Sequence, residues 1–186
     1  MLPALTLPPP TQLPINHVAF AVADIRAAVD TWVRTLGAGP FFLIENMAFD
    51  FVRFRGEPCI FDHSAAFGQC GPIAIELQQI HRAWPAELES GLLNGGCMNH
   101  VGFMSTDHEA ESARLSAMGF DLTLHAGAGE MEVRFHDARK VLGYSLEVHR
   151  RCDFIEQAFK HFADASVGWR GEDPLRLMTP DILGPK

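Results

Sequence analysis

The chain has few of the features that mark secreted, membrane-spanning or nucleic-acid-binding proteins. No apolar run approaches the ~20 residues that cross a bilayer. Lysine and arginine number 15 against 23 acidic residues, giving a net charge of −8, so we expect no nucleic acid partner. The four cysteines include no CxxC pair, which argues against a disulfide framework. The first residues lack the charge and apolar stretch of a secretory signal, so we expect a cytoplasmic protein with free thiols and no membrane association.

A five-residue phrase occurs twice in the chain, as NHVAF at 16–20 and as NHVGF at 99–103. The similarity continues beyond the phrase, so that Asp24 aligns with Asp107. Internal repetition of this kind predicts a duplicated structural unit. We therefore interpret the residues of the two phrases as equivalent positions of two copies of this unit.

A second pair of similar segments follows each phrase. IAIEL at 73–77 resembles YSLEV at 144–148, which aligns Glu76 with Glu147. The chain thus contains two similar modules, each with one histidine near its start and one glutamate near its end. We divide the chain into an extended N-terminal arm at 1–13, a first module with its linker at 14–96, a second module at 97–150, and a C-terminal helix and tail at 151–186.

Each module has the pattern of a β-α-β-β-β unit. The opening strands are rich in β-branched and aromatic residues, and each leads to an aspartate suited to cap an amphipathic helix. In the first module we predict strands at 14–22, 40–44, 48–55, 59–67 and 72–80, with a helix from 25 to the glycine at 37. In the second we predict strands at 98–105, 121–125, 131–136 and 143–149, with a helix at 108–118.

These patterns predict an α+β fold with two tandem βαβββ modules. The modules would form one curved, mostly antiparallel sheet around a central cleft. In the tail, the apolar residues between Phe154 and Phe162 fall on one helical face. That face is suited to capping the core, covering a pocket or forming a homodimer, and the sequence leaves these three roles open.

Strand alternation places the repeated histidine and glutamate on one side of the sheet. In NHVAF the valine and the phenylalanine point one way while His17 points the other, and Glu76 opposes its apolar neighbours in the same manner. A twofold relation between modules would bring both together with His100 and Glu147. Two imidazoles and two carboxylates suit one divalent ion such as Zn, Ni, Co, Mn or Fe. On an octahedral ion, two adjacent positions would stay open for a chelating substrate.

Paired βαβββ modules with these histidines and glutamates resemble the vicinal oxygen chelate superfamily. Its members include glyoxalase I, methylmalonyl-CoA epimerase, extradiol dioxygenases and bleomycin-binding proteins. The resemblance covers residues 14–150, and the INHVAFAV opening is most similar to the epimerase-like branch. It implies metal ligands at His17, Glu76, His100 and Glu147. The epimerase branch usually has glutamine at the slot of Glu76, whereas glyoxalase I of the bacterial type has glutamate. The set present here is formally neutral with a divalent ion and attracts an acyl-CoA carboxylate less.

Proton abstraction also needs a catalytic base. By similarity to glyoxalase I, Glu76 or Glu147 would serve by leaving the metal. His63 is a further candidate, because a hairpin that turns at residues 69–70 would set it opposite Glu76. A register that differs by one residue would place Asp62 there instead, on the strand where the epimerase branch carries an acid/base carboxylate.

The sequence therefore favours a divalent-metal-dependent isomerase or epimerase that abstracts a proton next to a carbonyl through a chelated enediolate. A glyoxalase-type lyase is the first alternative. A ring-cleaving dioxygenase ranks lower, since it uses two histidines and one carboxylate on iron. A non-catalytic binding protein also ranks lower, because the bleomycin-binding members lack the complete ligand set. The many phenylalanines indicate a small-molecule substrate with an apolar or aromatic acyl group.

Overall fold

The computed structural model describes residues 14–92 and 98–179, so the predicted N-terminal arm lies outside the described residues. The first module contains, in chain order, β1 (Ile15–Ala21), α1 (Ile25–Leu36), β2 (Phe41–Ile44), β3 (Phe51–Phe54), β4 (Glu57–Pro58), β5 (Ile60–Cys70), β6 (Ile73–Trp84) and α2 (Ala86–Leu92). The second contains β7 (Met98–Ser105), α3 (His108–Ala117), β8 (Leu122–Ala128), β9 (Met131–His136), α4 (Arg139–Leu142) and β10 (Ser145–Arg150). The tail contains α5 (Asp153–Ser166) and β11 (Leu175–Leu177).

Both module helices begin at the repeated aspartate. Asp24 Oδ1 accepts a hydrogen bond from the backbone N–H of Ala27 at 3.0 Å, and Asp107 Oδ1 accepts one from Ala110 at 3.0 Å. Such caps satisfy N–H groups that the first helical turn leaves free. Helix α1 ends at Gly37, which adopts a left-handed φ of 63°. The predictions of these two helix starts are confirmed.

The strands of the described residues form one curved sheet in the order β11-β2-β5-β6-β1-β7-β10-β9-β8-β3-β4. Strands β1 and β7 lie antiparallel at the centre, where Val18 pairs with Val101. On either side of this pair, β1 is parallel to β6 and β7 is parallel to β10. The two modules are therefore related by an approximate twofold axis near Val18 and Val101. The predicted fold class is confirmed.

Several elements differ from the predictions because their partners are distant in the sequence. The predicted strand 48–55 forms as β3, but it pairs with β8 at the edge of the second module. Strand β11 of the tail pairs in parallel with β2 at the opposite edge. The helices α2 and α4 lie where the sequence suggested a linker and a loop. Local patterns do not specify which edge a strand joins.

The hairpin of β5 and β6 turns later than the sequence suggested. Strand β5 continues to Cys70, and the turn uses Gly71 with a φ of 59°. Phe67 therefore lies opposite Glu76, and His63 lies four residues away along β5. The predicted pairing of His63 with Glu76 is wrong, because glycine supplies the left-handed conformation that a tight hairpin turn needs.

The two faces of the sheet are covered differently. Helices α1 and α3 pack on the outer face. On the inner face, α5 places Phe162 against Phe42 in the half that belongs to the first module. In the other half, Phe54 of β3 and Leu88 of α2 form the covering layer. No helix within the described ranges is long and apolar enough to cross a membrane.

Candidate metal centre

The repeated side chains meet at the middle of the inner face. The two central strands carry the histidines, and the strand beside each carries the glutamate. The pairs in register are His17 with Gly102, His100 with Ala19, Glu76 with Ala19, and Glu147 with Gly102. His17 and His100 are 0% exposed, Glu76 is 4% exposed and Glu147 is 5% exposed. Ionisable groups buried to this degree need to pair with one another or with an ion.

The ligand atoms of this group of four surround one point. His17 Nε2 lies 3.0 Å from His100 Nε2, and each nitrogen lies 3.0–3.2 Å from one oxygen of each glutamate. All four atoms lie within 4.8 Å of one another. Ligand atoms at about 2.1 Å from an ion are separated by about 3.0 Å at a right angle and about 3.4 Å at a tetrahedral angle. The group therefore fits one divalent ion.

Burial and mutual pairing shift the pKa values of the group. Burial acts to lower the pKa of His100, but Glu147 and Glu76 outweigh it and raise that pKa to about 10. Burial also acts to lower the pKa of His17, but the same two carboxylates outweigh it and raise that pKa. Burial acts to raise the pKa of Glu76, but hydrogen bonds from His100 and His17 lower it to about 2. Without an ion, the site thus favours ionised carboxylates beside protonated imidazoles, and metal binding would release those protons.

The asparagine of each NHV phrase orients its histidine. The Nδ1–H of His17 donates to Asn16 Oδ1 at 3.1 Å, and the Nδ1–H of His100 donates to Asn99 Oδ1 at 2.9 Å. An amide oxygen only accepts hydrogen bonds, so Nδ1 carries the hydrogen and Nε2 is left for the ion. Outer hydrogen bonds of this kind fix the tautomer of metal-binding histidines. The repeated phrase therefore encodes an Asn-His unit.

Each glutamate is held by the residue two positions after it. Gln78 Nε2 donates to Glu76 Oε1 at 2.8 Å. His149 is buried, and its Nε2 lies 2.8 Å from Glu147 Oε2. The same slot of the repeat is thus a neutral amide in the first module and an imidazole in the second.

The small residue of each NHV phrase makes room for the histidine of the other module. A Cβ at Gly102 would lie 1.9 Å from Cε1 of His17, which no side chain can accommodate. The equivalent residue of the first module, Ala19, is fully buried opposite His100. The β1–β7 pair therefore tolerates a methyl group on one side and not on the other.

The remaining predicted acid/base candidates, His63 and Asp62, do not contribute to the group of four ligand atoms. His63 faces the inside of the sheet and stacks on Phe61, with ring centroids 4.0 Å apart, and on Phe49 at 5.9 Å. Burial lowers the pKa of His63 despite the nearby charge of Glu76. Asp62 points to the other side of β5, since side chains alternate along a strand. The group of ligand atoms includes neither residue.

The residues that support and cover the group were not predicted from the sequence. The signal for the asparagines was present, since the repeated phrase keeps Asn together with His. Gln78 gave no comparable signal, because its counterpart is a histidine. Phe159 of α5 stacks on His17 with centroids 5.5 Å apart. No local pattern predicts that contact, because it joins the tail to the first strand.

The comparison of sequences identifies a family. The profile of the Glyoxalase/Bleomycin resistance protein/Dioxygenase superfamily matches residues 16–135. The matched range contains His17, Glu76 and His100 and ends before Glu147. Comparison with curated protein sequences gives no significant match.

Several solved structures are similar to this chain at low sequence identity. A hypothetical protein from Bacillus halodurans C-125 is 17% identical with a TM-score of 0.54, and the alignment covers 76% of this chain and 96% of that chain. Methylmalonyl-CoA epimerase from Mycobacterium tuberculosis is 16% identical with a TM-score of 0.49, covering 74% and 87% of the two chains. A Streptomyces coelicolor methylmalonyl-CoA epimerase in complex with 2-nitronate-propionyl-CoA is 17% identical with a TM-score of 0.49, covering 76% and 96%. The first likeness establishes the fold, and none of the three establishes a reaction.

Proposed function

The chain belongs to the glyoxalase/bleomycin resistance protein/dioxygenase superfamily, and we propose that within it the protein is a divalent-metal-dependent isomerase or epimerase. The proposed reaction removes a proton from a carbon next to a carbonyl and returns it at another position or face. The observation that carries the proposal is the buried group of His17, Glu76, His100 and Glu147 around one point. We expect a small-molecule substrate with two neighbouring oxygens.

The proposed metal ligands are His17, Glu76, His100 and Glu147. When bound, the ion would supply positive charge that stabilises a developing oxyanion as the neighbouring proton leaves. Two carboxylates balance the charge of a divalent ion, so the filled site would be formally neutral. This donor set accepts Zn, Ni, Co, Mn or Fe, and metal analysis has to identify the one that is bound.

We propose Glu147 as the base. Its Oε2 lies 2.8 Å from His149 Nε2, so the imidazole can hold the carboxylate in place and exchange a proton with it. Glu76 is the alternative base, but its partner Gln78 is an amide that neither takes up nor releases a proton. His63 and Asp62 are weaker proposals, because neither belongs to the group of ligand atoms.

A glyoxalase-type lyase is the second candidate function. It would use the same four ligands, and a glutamate at position 76 is what the resemblance to the bacterial type implies. A ring-cleaving dioxygenase is less well supported, because a fourth protein ligand occupies a position that iron would need for its substrates. Binding of a small molecule without catalysis would need none of the paired donors that surround this point.

Hydrogen exchange tests the proposed chemistry before the natural substrate is known. Metal-loaded protein would be incubated in D₂O with a panel of α-hydroxyketones, 2-oxo compounds and branched acyl thioesters. Mass spectrometry then measures deuterium at the carbon next to the carbonyl. We expect exchange in at least one compound, and a loss of about 100-fold or more in Glu147→Gln, since general base catalysis contributes about that factor.

The matched control is Glu130→Gln, which changes an exposed glutamate of the β8–β9 turn. It should exchange at the wild-type rate. Undiminished exchange in Glu147→Gln would contradict the proposed base, and oxygen uptake with a catechol would instead support a dioxygenase.

A further inference from the structure

The tail helix α5 lies over the inner face of the first module, next to the proposed metal ligands. Phe162 is buried and stacks on Phe67, with centroids 5.5 Å apart. Phe159 lies about one turn earlier on the same helical face and reaches closer to the centre of the sheet. Its ring stacks on His17 at 5.5 Å with an interplanar angle of 28°. The tail therefore contributes an aromatic ring directly to the surroundings of the site.

Phe159 separates His17 from solvent. His17 is fully buried, whereas Phe159 itself is partly exposed. The Phe159 ring also meets the edge of His149 at 6.4 Å and lies 6.1 Å from Phe67. It thus closes the space between the tail, β5 and β10. On this side, the partly exposed ring of Phe159 covers His17.

The opposite side of the site is covered more deeply. Phe135 packs edge-on against His100 with centroids 5.0 Å apart, and Phe135 is itself 5% exposed. Leu88 and Leu124 belong to the core layer around it. The crevice that reaches Phe135 and Asn99 has a volume of about 30 Å³, which is room for one water molecule. Because Phe159 is partly exposed whereas Phe135 is buried, we take Phe159 as the side from which a ligand approaches.

The tail is attached on both sides of Phe159. Helix α5 follows directly after β10, and β11 pairs with β2. The backbone N–H of Met178 donates to Leu43 O at 2.8 Å. Because both ends are fastened to the sheet, a rotation of the Phe159 side chain opens the site with less disruption than release of the tail.

We propose that Phe159 is the specificity-determining residue on the access route to the metal centre, a proposal that rests on the proposed metal site. A ligand displaces the Phe159 ring from His17, and the ring then stacks on the flat apolar part of that ligand. Phe67 forms a second aromatic wall, with its centroid 6.2 Å from that of His17. The site therefore prefers chelating compounds that carry a flat apolar group.

Two hydroxamates test this preference. Benzohydroxamate and acetohydroxamate present the same pair of oxygens to an ion, but only benzohydroxamate carries a flat apolar ring. Their dissociation constants for zinc-loaded protein would be measured by calorimetry. Wild type should bind benzohydroxamate about tenfold more tightly, since one aromatic contact contributes about that factor. In Phe159→Ala the ratio of the two constants should fall towards one.

The matched control is Phe162→Ala on the same helix. Phe162 is the more deeply buried ring and stacks on Phe67 and Phe42. Its truncation should lower the melting temperature more than Phe159→Ala does, yet keep the wild-type ratio of constants. An unchanged ratio in Phe159→Ala, or an equal loss in both variants, would overturn the proposal.

A measurement of the metal content distinguishes a failure of this proposal from a failure of the proposed function. If wild type holds about one ion per chain, the ratio of constants decides. If it holds none, the proposed function fails, and the access route is tested on the metal-free chain by hydroxyl-radical footprinting, which modifies exposed imidazole rings without needing a free nitrogen lone pair. Peptide mass spectrometry should then show His17 modified about tenfold faster in Phe159→Ala than in wild type, since one aromatic contact is lost. Equal rates would overturn the access route.

Discussion

The two modules present the same histidine and glutamate but surround them differently. In the first module, His17 lies under a ring of the tail, Phe159, which is partly exposed. In the second, His100 lies beside the buried Phe135, beneath a layer from β3 and α2. The residue that supports the glutamate also differs, being an amide in the first module and an imidazole in the second.

This difference distinguishes the residues that an ion needs from the residues that an organic ligand needs. An ion needs donors arranged around one point, and both modules supply the same Asn-His unit and the same glutamate. An organic ligand approaches from one side, so the residues on that side have to differ from those on the other. We therefore interpret the symmetric residues as the metal centre, and the asymmetric residues Phe159 and His149 as the side that meets substrate.

The largest expected effect on metal affinity comes from replacing Gly102 of the second module by alanine, the residue found at the equivalent position 19 of the first module. Gly102→Ala places a Cβ at 1.9 Å from Cε1 of His17, so the ring has to leave its position. We expect metal affinity to fall by more than about 100-fold, because displacement of a ligand goes beyond the loss of an outer contact. Metal analysis after dialysis would measure it.

The reverse change, Ala19→Gly, is the matched control. It removes a buried methyl group opposite His100 and puts glycine in a strand, which costs about 1 kcal/mol of stability. Metal affinity should stay within about tenfold of wild type. Equal losses in both variants would mean that the two slots do not differ as described.

The asparagines should give the next largest effect. Asn99→Ala and Asn16→Ala each remove the acceptor that fixes a histidine tautomer. We expect affinity to fall by about 10- to 100-fold in each, measured by competition with a chelator. Asn99 is the more deeply buried, so its loss should be larger. Aspartate at either position keeps an acceptor oxygen and should restore most of the affinity, whereas failure of that rescue would argue for a structural role alone.

A smaller effect is expected when His149 of the second module is replaced by glutamine, the residue at the equivalent position 78 of the first module. His149→Gln keeps a donor next to Glu147 but removes the group that can exchange a proton. We expect metal content to be retained and hydrogen exchange to fall by about tenfold or more, because a proton-transfer partner is lost. The paired variant Gln78→Leu should lower metal affinity through Glu76 instead. Equal exchange in His149→Gln and wild type would remove His149 from the mechanism.

The smallest expected effect is on the stability of the metal-free protein, in which charged histidines and glutamates of the two modules pair with one another. The pKa of His100 is raised from 6.5 to about 10, so its contribution to stability is complete below about pH 6.5 and is lost towards pH 10. The pKa of Glu76 is lowered from 4.5 to about 2, so its contribution is complete above about pH 4.5 and is lost as the pH falls to 2. Metal-free protein should therefore melt several degrees lower at pH 9.5 than at pH 6. A flat profile would contradict this coupling of the two modules.

The repeat is the reason that so much could be predicted from sequence. Two copies of one pattern gave the strand-helix order, the capping aspartates and the strand faces of His17 and Glu76. These features depend on alternation and on local capping, which the sequence shows directly. The same logic aligned His100 and Glu147 with them, and the structure brings the four ligand atoms within 4.8 Å.

What the sequence did not show depends on contacts between distant segments. The register of β5 depended on where the hairpin turned, and the later turn put Phe67 rather than His63 opposite Glu76. The pairing of β3 with β8 and the contact of Phe159 with His17 each join parts of the chain that share no local pattern. Such contacts are decided by tertiary packing.

We propose above all that the two modules together hold one divalent ion. The most direct test is metal analysis by plasma mass spectrometry on untagged wild type and on the double variant His17→Ala, His100→Ala. We expect about one divalent ion per chain in wild type and none in the variant, because half of the four ligands are then gone. A wild-type chain that takes up no ion even after reconstitution, or a double variant that retains it, would contradict the claim.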